Sequence, residues 1–297
     1  MTQLNPKSKI GFIGAGIVGG SLAVALSQNG YAIVAAASRT FASAQALGAR
    51  VPGCAAFETG QAVADAAEFV FITTTDDAIE HVAAAVSWRP GQGVAHCSGA
   101  ASLDVLSGPV AQGAIAGAFH PVQAFSSVEG GVKSIPGITF GIEGNPEVRS
   151  YLEEMAVAIG GIPIILKSED KALYHASAVM MGNLLTVLAA VASGLWSNIG
   201  LTRADGVKAL APMMRQVSIN LETSGIPGAV AGPYIRGDVG TIRKHLEALQ
   251  LLAPDVLPLY RELAKSAIPF ALEKGTLTAD EADVIRALVE GSNGGCD

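Results

Sequence analysis

Apolar residues come in short solid blocks along the first half of the chain and in longer helical stripes along the second. "KIGFI" at 9–13 is one such block. It breaks at Gly14, a helical run to Gln28 follows, and Asn29-Gly30 supplies a helix stop. "YAIVAAAS", "EFVFITTT", "GVAHCSG", "AIAGAFHP", "GITFGIEG" and "GIPIIL" are further blocks of strand length, bounded by turn-forming residues. Blocks that are apolar at every position, not at alternate ones, suit strands buried on both faces. With helical stretches between them, they predict an α/β domain over 1–167, a mostly parallel, doubly wound sheet.

After Lys167 the strand pattern stops. Ser168 reads as the cap of a helix whose first turn holds Glu169 and Asp170, acids that suit the positive end of the helix dipole. Thr202-x-x-Asp205 and Thr278-x-x-Glu281 read as capping boxes. Helices are predicted at about 202–211, 212–224, 238–252, 255–274 and 278–290, with Gly225 to Gly237 as the one long irregular stretch. An all-helical second domain over 168–297 results. Ala176 to Trp196 carries no charge for 21 residues, enough to cross a bilayer. Ser177, Gly182, Asn183, Thr186, Ser193 and Gly194 interrupt it, and no second stretch resembles it. The expectation is a helix buried in the domain or in a homodimer, with no membrane partner.

Composition narrows the partners. The net charge of −7 comes with no cluster of Lys and Arg, which excludes a nucleic-acid surface. Cys54, Cys97 and Cys296 are odd in number and fit no disulfide or metal spacing. His96 and Cys97 are adjacent on a strand and so point to opposite faces. No metal is expected, and reduced thiols imply a cytoplasmic protein. Lys7 and Lys9 before the first apolar run imitate a signal peptide, but the glycine spacing within that run explains it better.

That spacing is Gly14-x-Gly16-x-x-Gly19, directly after the first strand and at the start of a helix. In a Rossmann turn the first glycine permits the bend and the second lets the backbone approach a pyrophosphate. The third allows close packing of the helix, whose N-terminus faces the anion. An NAD site carries an acid about 20 residues further on, for the ribose hydroxyls. Here no acid occurs before Glu58, and the second strand ends in Ser38-Arg39-Thr40, a cation and two hydroxyls suited to a 2′-phosphate. The expected cofactor is NADP. Its expected contacts are Gly14, Ala15, Gly16, Ile17, Val18 and Gly19, then Ser38, Arg39 and Thr40, with Thr73, Thr74 and Asp76 at the end of a later strand. Asp76 and Asp77 are read chiefly as caps of the following helix.

The chemical end is expected where strands finish. Ser98 and Gly99 end one strand, and His120 with Gln123 ends another. Lys171 and His175, four residues apart, lie roughly 40° apart on a helix; Gly182 falls within roughly 20° of Lys171, and Asn183 borders that face. Hydride delivery to a carbonyl or imine builds charge on the acceptor atom, which a nearby acid or cation must offset. Lys171, His175 and His120 are therefore the candidate catalytic residues. Ser98, Gly99, Gln123, Asn183, Arg236, Asp238 and Thr241 are candidate substrate contacts. Arg236 can pair with a carboxylate, or simply with Asp238, which is placed as a helix cap.

Taken together, "GFIGAGIVG", "SRT", "HCSGAASLDVL", "FHPVQAF", "KALYHASAVMMGN" and "GPYIRGDVGTIRKHLEAL" resemble bacterial proteins that join a Rossmann-like domain to a domain of unknown function. These are described as NADP- or deazaflavin-dependent oxidoreductase-like. More remotely the chain is similar to ketopantoate reductases, β-hydroxyacid dehydrogenases and pyrroline-5-carboxylate reductases. The resemblance implies an NADP-dependent oxidoreductase that dimerises through its C-terminal helical domain. In the first two of those remoter groups a catalytic Lys opens the interdomain helix and an Asn follows at i+4. Lys171 matches the Lys, but His175 stands at i+4. The expected function is NADPH-dependent reduction of a small 2-oxo acid or ketopantoate-like carbonyl, with Lys171 or His175 as proton donor. The alternatives are a cyclic-imine reductase, a deazaflavin:NADP oxidoreductase and a non-catalytic NADP-sensing module.

Overall fold

A computed structural model describes residues 4–291. Two compact units divide the chain, Met1–Asn183 and Leu184–Asp297. The first turns of the helical segment therefore belong with the sheet, and the division falls later than Lys167.

In the first unit the chain alternates β1 (Ile10–Ile13), α1 (Ile17–Gln28), β2 (Ile33–Ala37), α2 (Phe41–Arg50), β3 (Ala55–Phe57), α3 (Gly60–Ala66), β4 (Phe69–Ile72) and α4 (Ile79–Ala84). It continues through β5 (Gly93–His96), α5 (Ser107–Ala111), β6 (Ile115–Pro121), α6 (Val128–Ser134), β7 (Thr139–Gly144), α7 (Pro146–Ala158), β8 (Ile162–Ile165) and α8 (Lys171–Val179). The strands form one sheet in the order β3-β2-β1-β4-β5-β6-β7-β8, in which only the β6–β7 pair is antiparallel. The short β3 had no sequence signal, being only "AAF" beside a turn.

Burial explains the solid apolar blocks. Phe12, Phe69, Phe71, Phe119 and Phe140 fill the core on one face of the sheet. Their strand neighbours Ile13, Val70 and Ile72 fill a separate core on the other. Successive side chains point to opposite faces, so a strand covered on both sides needs apolar residues throughout. The edge strand β8 departs from this, with Ile162 56% and Ile165 47% exposed.

The second unit is helical: α9 (Leu185–Gly194), α10 (Arg203–Gly228), α11 (Val239–Leu252), α12 (Leu257–Glu273) and α13 (Ala279–Glu290), around a core that includes Ile235, Ile242, Ile268 and Ile285. Both predicted capping boxes are present, and Asp238 caps α11. Two expectations fail. The helix runs through Pro212, where two helices were predicted, and bends only at Gly225-Ile226. A proline removes one backbone bond and strains its turn, but packing on either side can carry the helix past it. Nor is the apolar stretch after His175 buried within its own chain, so burial inside the domain, one of its two expected settings, does not hold. The helical segment Ser168–Ile199 contains an 18-residue window of mean hydropathy 1.8, long and apolar enough to cross a membrane, of which only 6% is buried. A wider π-type turn at Met180–Leu184 also interrupts the regular helix, so the angles assumed for Gly182 and Asn183 do not hold.

Candidate active site

The glycine turn is built around the end of β4. Gly14 has φ +110°, and a Cβ there would lie 2.6 Å from the Thr73 backbone. A Cβ on Gly19 would lie 2.4 Å from both the Gly14 carbonyl oxygen and Thr73 Oγ1. Around Gly16 nothing lies within 4 Å of such an atom. The outer glycines thus let the turn close on β4, while the middle one leaves its rim bare for a ligand. Thr73 Oγ1 donates to the Gly14 carbonyl at 2.5 Å. That hydroxyl, expected to touch cofactor, is spent on holding the turn.

Two cavities meet at this rim. The larger, about 810 Å³, is lined by Gly14–Gly16, Ser38, Arg39, Thr40 and Thr73–Thr75, and also by Glu58–Gln61. The smaller, about 440 Å³, is lined by Gly16, Ile17 and Val18, by Thr73–Asp76, and by Cys97, Gln123 and Phe125. Gly16 and Thr73–Thr75 border both, so a two-part ligand lying across Gly16 would enter each. Thr74 Oγ1, on that shared border, is buried without a hydrogen-bond partner. α1 opens at the same place with no side-chain cap on its first amides. A bare rim, an open helix N-terminus, an orphaned hydroxyl and an exposed Arg39 fit a phosphorylated dinucleotide. Among the described residues Arg39 forms no ion pair. Ser43, the Glu58–Gln61 wall and Phe125 escaped the sequence reading, because they lie in the first turn of α2, after β3 or in a loop, without a motif.

Asp76 does not cap a helix. The short turn Asp76–Ala78 has no side-chain cap, and Asp76 Oδ2 accepts a hydrogen bond from Ser98 Oγ at 2.6 Å. Ser98 Oγ in turn accepts from the Ala100 and Ala101 amides at 3.3 and 3.0 Å. Strand ends β4 and β5 are neighbours, and tertiary proximity outweighs the local capping preference here.

Behind this pair lies a cluster of rings. His120 Nδ1 and the Tyr174 hydroxyl share a hydrogen bond of 2.9 Å. The His120 and His175 rings meet edge to face, 5.6 Å between centroids. Two glycines make room. A Cβ on Gly99 would lie 2.4 Å from His175 Cδ2 and 2.8 Å from His120 Nε2, and one on Gly141 would lie 2.6 Å from the Tyr174 hydroxyl. Burial first, then the nearby His175 and Lys171, lowers the His120 pKa to about 4. Burial and Lys171 likewise lower His96 to about 3, its Nδ1 accepting from the Ser98 amide. Burial pushes the Tyr174 hydroxyl up to about 12 and the Cys97 thiol well above its usual range. All of these groups are neutral at pH 7.

Lys171 lies beneath that cluster and not at the cavity. It is 1% exposed, with Nζ 3.4 Å from Glu143 Oε2; neither atom has another polar partner. Burial lowers the Lys171 pKa, and Glu143 opposes the shift. Glu143 also escaped the sequence reading. It sits in an otherwise apolar strand, 28 positions before Lys171, and only the fold brings them together. Ser168 does not cap the helix either: its hydroxyl donates to Glu143 Oε1. The first helical turn is thereby tied to β7.

The remaining candidates separate. Gln123 lines the smaller cavity, its amide tied to its own loop through the Ala124 amide at 2.8 Å. Asn183 is exposed in the π-type turn. Arg236, Asp238 and Thr241 belong to the second unit. Asp238 accepts from the Thr241 amide and hydroxyl at 2.9 and 2.7 Å, so both residues use their polar groups to start α11. Arg236 is exposed and makes no ion pair with Asp238. Cys54 and Cys97 are free thiols, and Cys296 lies outside the described residues.

Comparison with known proteins agrees with this architecture. A Rossmann-like domain matches residues 2–121, and the domain of unknown function DUF2520 matches residues 138–267. No curated protein sequence matches. Among solved structures, a candidate NADP oxidoreductase from Bacteroides fragilis is 25% identical, with TM-score 0.71 over 88% of this chain and 98% of its own. A reductive aminase from Aspergillus terreus, solved with NADPH and ethyl-5-oxohexanoate, is 17% identical, with TM-score 0.60 over 96% and 93%. A 1-pyrroline-5-carboxylate reductase from Streptococcus pyogenes is 14% identical, with TM-score 0.60 over 97% and 98%. The last two share the fold. The chain thus carries a Rossmann-like domain, with the glycine turn in it, followed by a DUF2520 domain that takes in most of the helical segment.

Proposed function

We propose that this protein is an NADPH-dependent reductase that adds hydride to a polarised C=O or C=N bond of a small molecule. The observation that carries the reading is the pair of cavities joined at Gly16, one bordered by Arg39 and the other by Asp76, whose carboxylate Ser98 holds. Ser38, Arg39 and Thr40 would hold the 2′-phosphate, and the Gly14–Gly19 turn with the first amides of α1 would hold the pyrophosphate. Thr74, with its orphaned hydroxyl on the shared border, would contact the middle of the cofactor. When bound, NADPH supplies the hydride. The chain's own contribution is to orient the acceptor in the smaller cavity and to keep the His96 and His120 imidazoles, the Tyr174 phenol and the Cys97 thiol neutral. The similar folds of an NADP oxidoreductase and of an NADPH-bound reductive aminase support the reading.

The expectation of a 2-oxo acid substrate gave the proton to Lys171 or His175 and the carboxylate to Arg236, and it needed Lys171 accessible. Its burial against Glu143 removes that support, while leaving the reductase class intact.

Fluorescence titration with NADPH and NADH tests the proposal. NADPH should bind more tightly, and its oxidation should accelerate with at least one member of a panel of ketones, 2-oxo acids and cyclic imines. No uptake of NADPH, or preference for NADH, sinks it. We also infer that a second copy of the chain covers the exposed apolar helical surface.

A further inference from the structure

We propose that the smaller cavity takes a cation, the protonated imine (iminium) of a small secondary or cyclic amine, and that Asp76, held by Ser98, selects it. This rests on the reductase reading and names its substrate class.

The lining of that cavity carries a single formal charge, and it is negative. Of Gly16–Val18, Thr73–Asp76, Cys97, Gln123 and Phe125, only Asp76 bears a carboxylate and none bears a basic group. Its carboxylate is held in place. Ser98 is 4% exposed and accepts hydrogen bonds from two backbone amides, so its one hydroxyl proton is committed to Asp76 Oδ2. Among the described residues no hydrogen bond reaches Oδ1. A carboxylate oriented by a buried donor, with one oxygen left over beside a cavity, suits a charge-assisted N–H donor from the ligand. An anionic substrate would meet that carboxylate with no compensating cation in the cavity's lining, and Lys171 is sealed and paired elsewhere.

The proton inventory agrees. Reducing a ketone leaves an alkoxide that must be protonated. His96, His120, Tyr174, His175 and Lys171 do not line the cavity, and Cys97, which does, is a weak acid. An iminium brings its own proton. Hydride forms the new C–H bond at the iminium carbon as NADPH is oxidised to NADP⁺. The C=N π pair moves onto nitrogen, and the cation becomes a neutral amine. No proton crosses from the protein in that step.

Asp76→Asn, an isosteric change, tests the idea on two readouts. The first is calorimetric binding of pyrrolidinium chloride to the NADPH-loaded protein, against cyclopentanol as a neutral control of similar shape. The second is NADPH oxidation with 1-piperideine, cyclohexanone and a simple 2-oxo acid. We expect pyrrolidinium to bind better than cyclopentanol. Asp76→Asn should weaken it, and lower kcat/KM for 1-piperideine, by roughly ten- to a hundredfold, the worth of one charge-assisted hydrogen bond. NADPH affinity should stay within about twofold, since such a change lies below 0.5 kcal/mol. Ser98→Ala keeps the charge but frees the carboxylate, and should give a smaller loss. It also serves if the asparagine chain does not fold. The proposal is overturned if the 2-oxo acid is the better substrate, if cyclopentanol binds as well as pyrrolidinium, or if imine and ketone lose rate equally in Asp76→Asn. Failure of the unaltered protein to bind NADPH would instead sink the reductase reading, and is seen separately.

Discussion

Arg39 is one exposed side chain, yet in the proposed function it separates two cofactors that differ by a single phosphate. Replacing Arg39 by Ala should weaken NADPH by roughly ten- to a hundredfold, the value of a charge-assisted contact, and leave NADH nearly unchanged. Paired titrations measure this, and an equal loss for both dinucleotides would refute the assignment. The histidines make a different statement, about stability. His96 and His120 bind a proton in the folded chain only near pH 3 and 4, whereas unfolded histidine does so near 6.5. Between those values the unfolded chain holds more protons, so stability should fall as pH drops from about 6.5 toward 4. Denaturation at pH 7.5 and pH 5 should differ by on the order of 4 kcal/mol, about half from each ring, and His96→Asn should show roughly half of that difference. A flat profile would show that these rings are not held neutral.

At the scale of elements, the question is what seats α8 on the sheet. Three contacts do so: Lys171 on Glu143, Tyr174 over Gly141 and His175 over Gly99. Lys171→Met leaves a buried carboxylate unpaired and should cost about 3–5 kcal/mol. The double change Lys171→Met with Glu143→Gln removes both charges and should recover most of that loss in urea melts. Additive losses in the double variant would show that the two charges do not interact. Gly99→Ala must displace one imidazole, and should lower kcat while NADPH binding persists. These elements also show what the sequence could disclose. Strands buried on both faces, the glycine turn and the two capping boxes are local features, so their residues lie close together in the chain and were legible. Glu143 is separated from Lys171, and Asp76 from Ser98, by 28 and 22 positions. Pairs of that kind appear only when strand order and register are fixed, and local preference then misassigns their members. Ser168 and Asp76 both read as helix caps for this reason, and each turned instead to a partner on a neighbouring strand.

For the whole molecule the unsettled surface is apolar. Leu173 is 80% and Met180 62% exposed in the first unit, and Met213 is 58% and Val217 50% exposed in the second. A soluble monomer rarely leaves so many large side chains in water, and a contiguous patch of them marks an interface or a bilayer contact. The two readings differ physically. A membrane span needs backbone groups satisfied within one segment and apolar residues on all sides, and it would leave α10 unexplained. A second copy buries side chains from several helices at once, and a stable pair needs roughly 800 Å² from each partner. Met213 and Val217 lie one turn apart on α10 and so share a face. Changing both to Asp would place two charges in the proposed interface. We expect the unaltered chain to sediment as a dimer without detergent, and the double variant to sediment as a monomer or to dissociate at much higher concentration. A unaltered chain that stays monomeric at high concentration, or that floats with lipid vesicles, would remove the second copy from this surface.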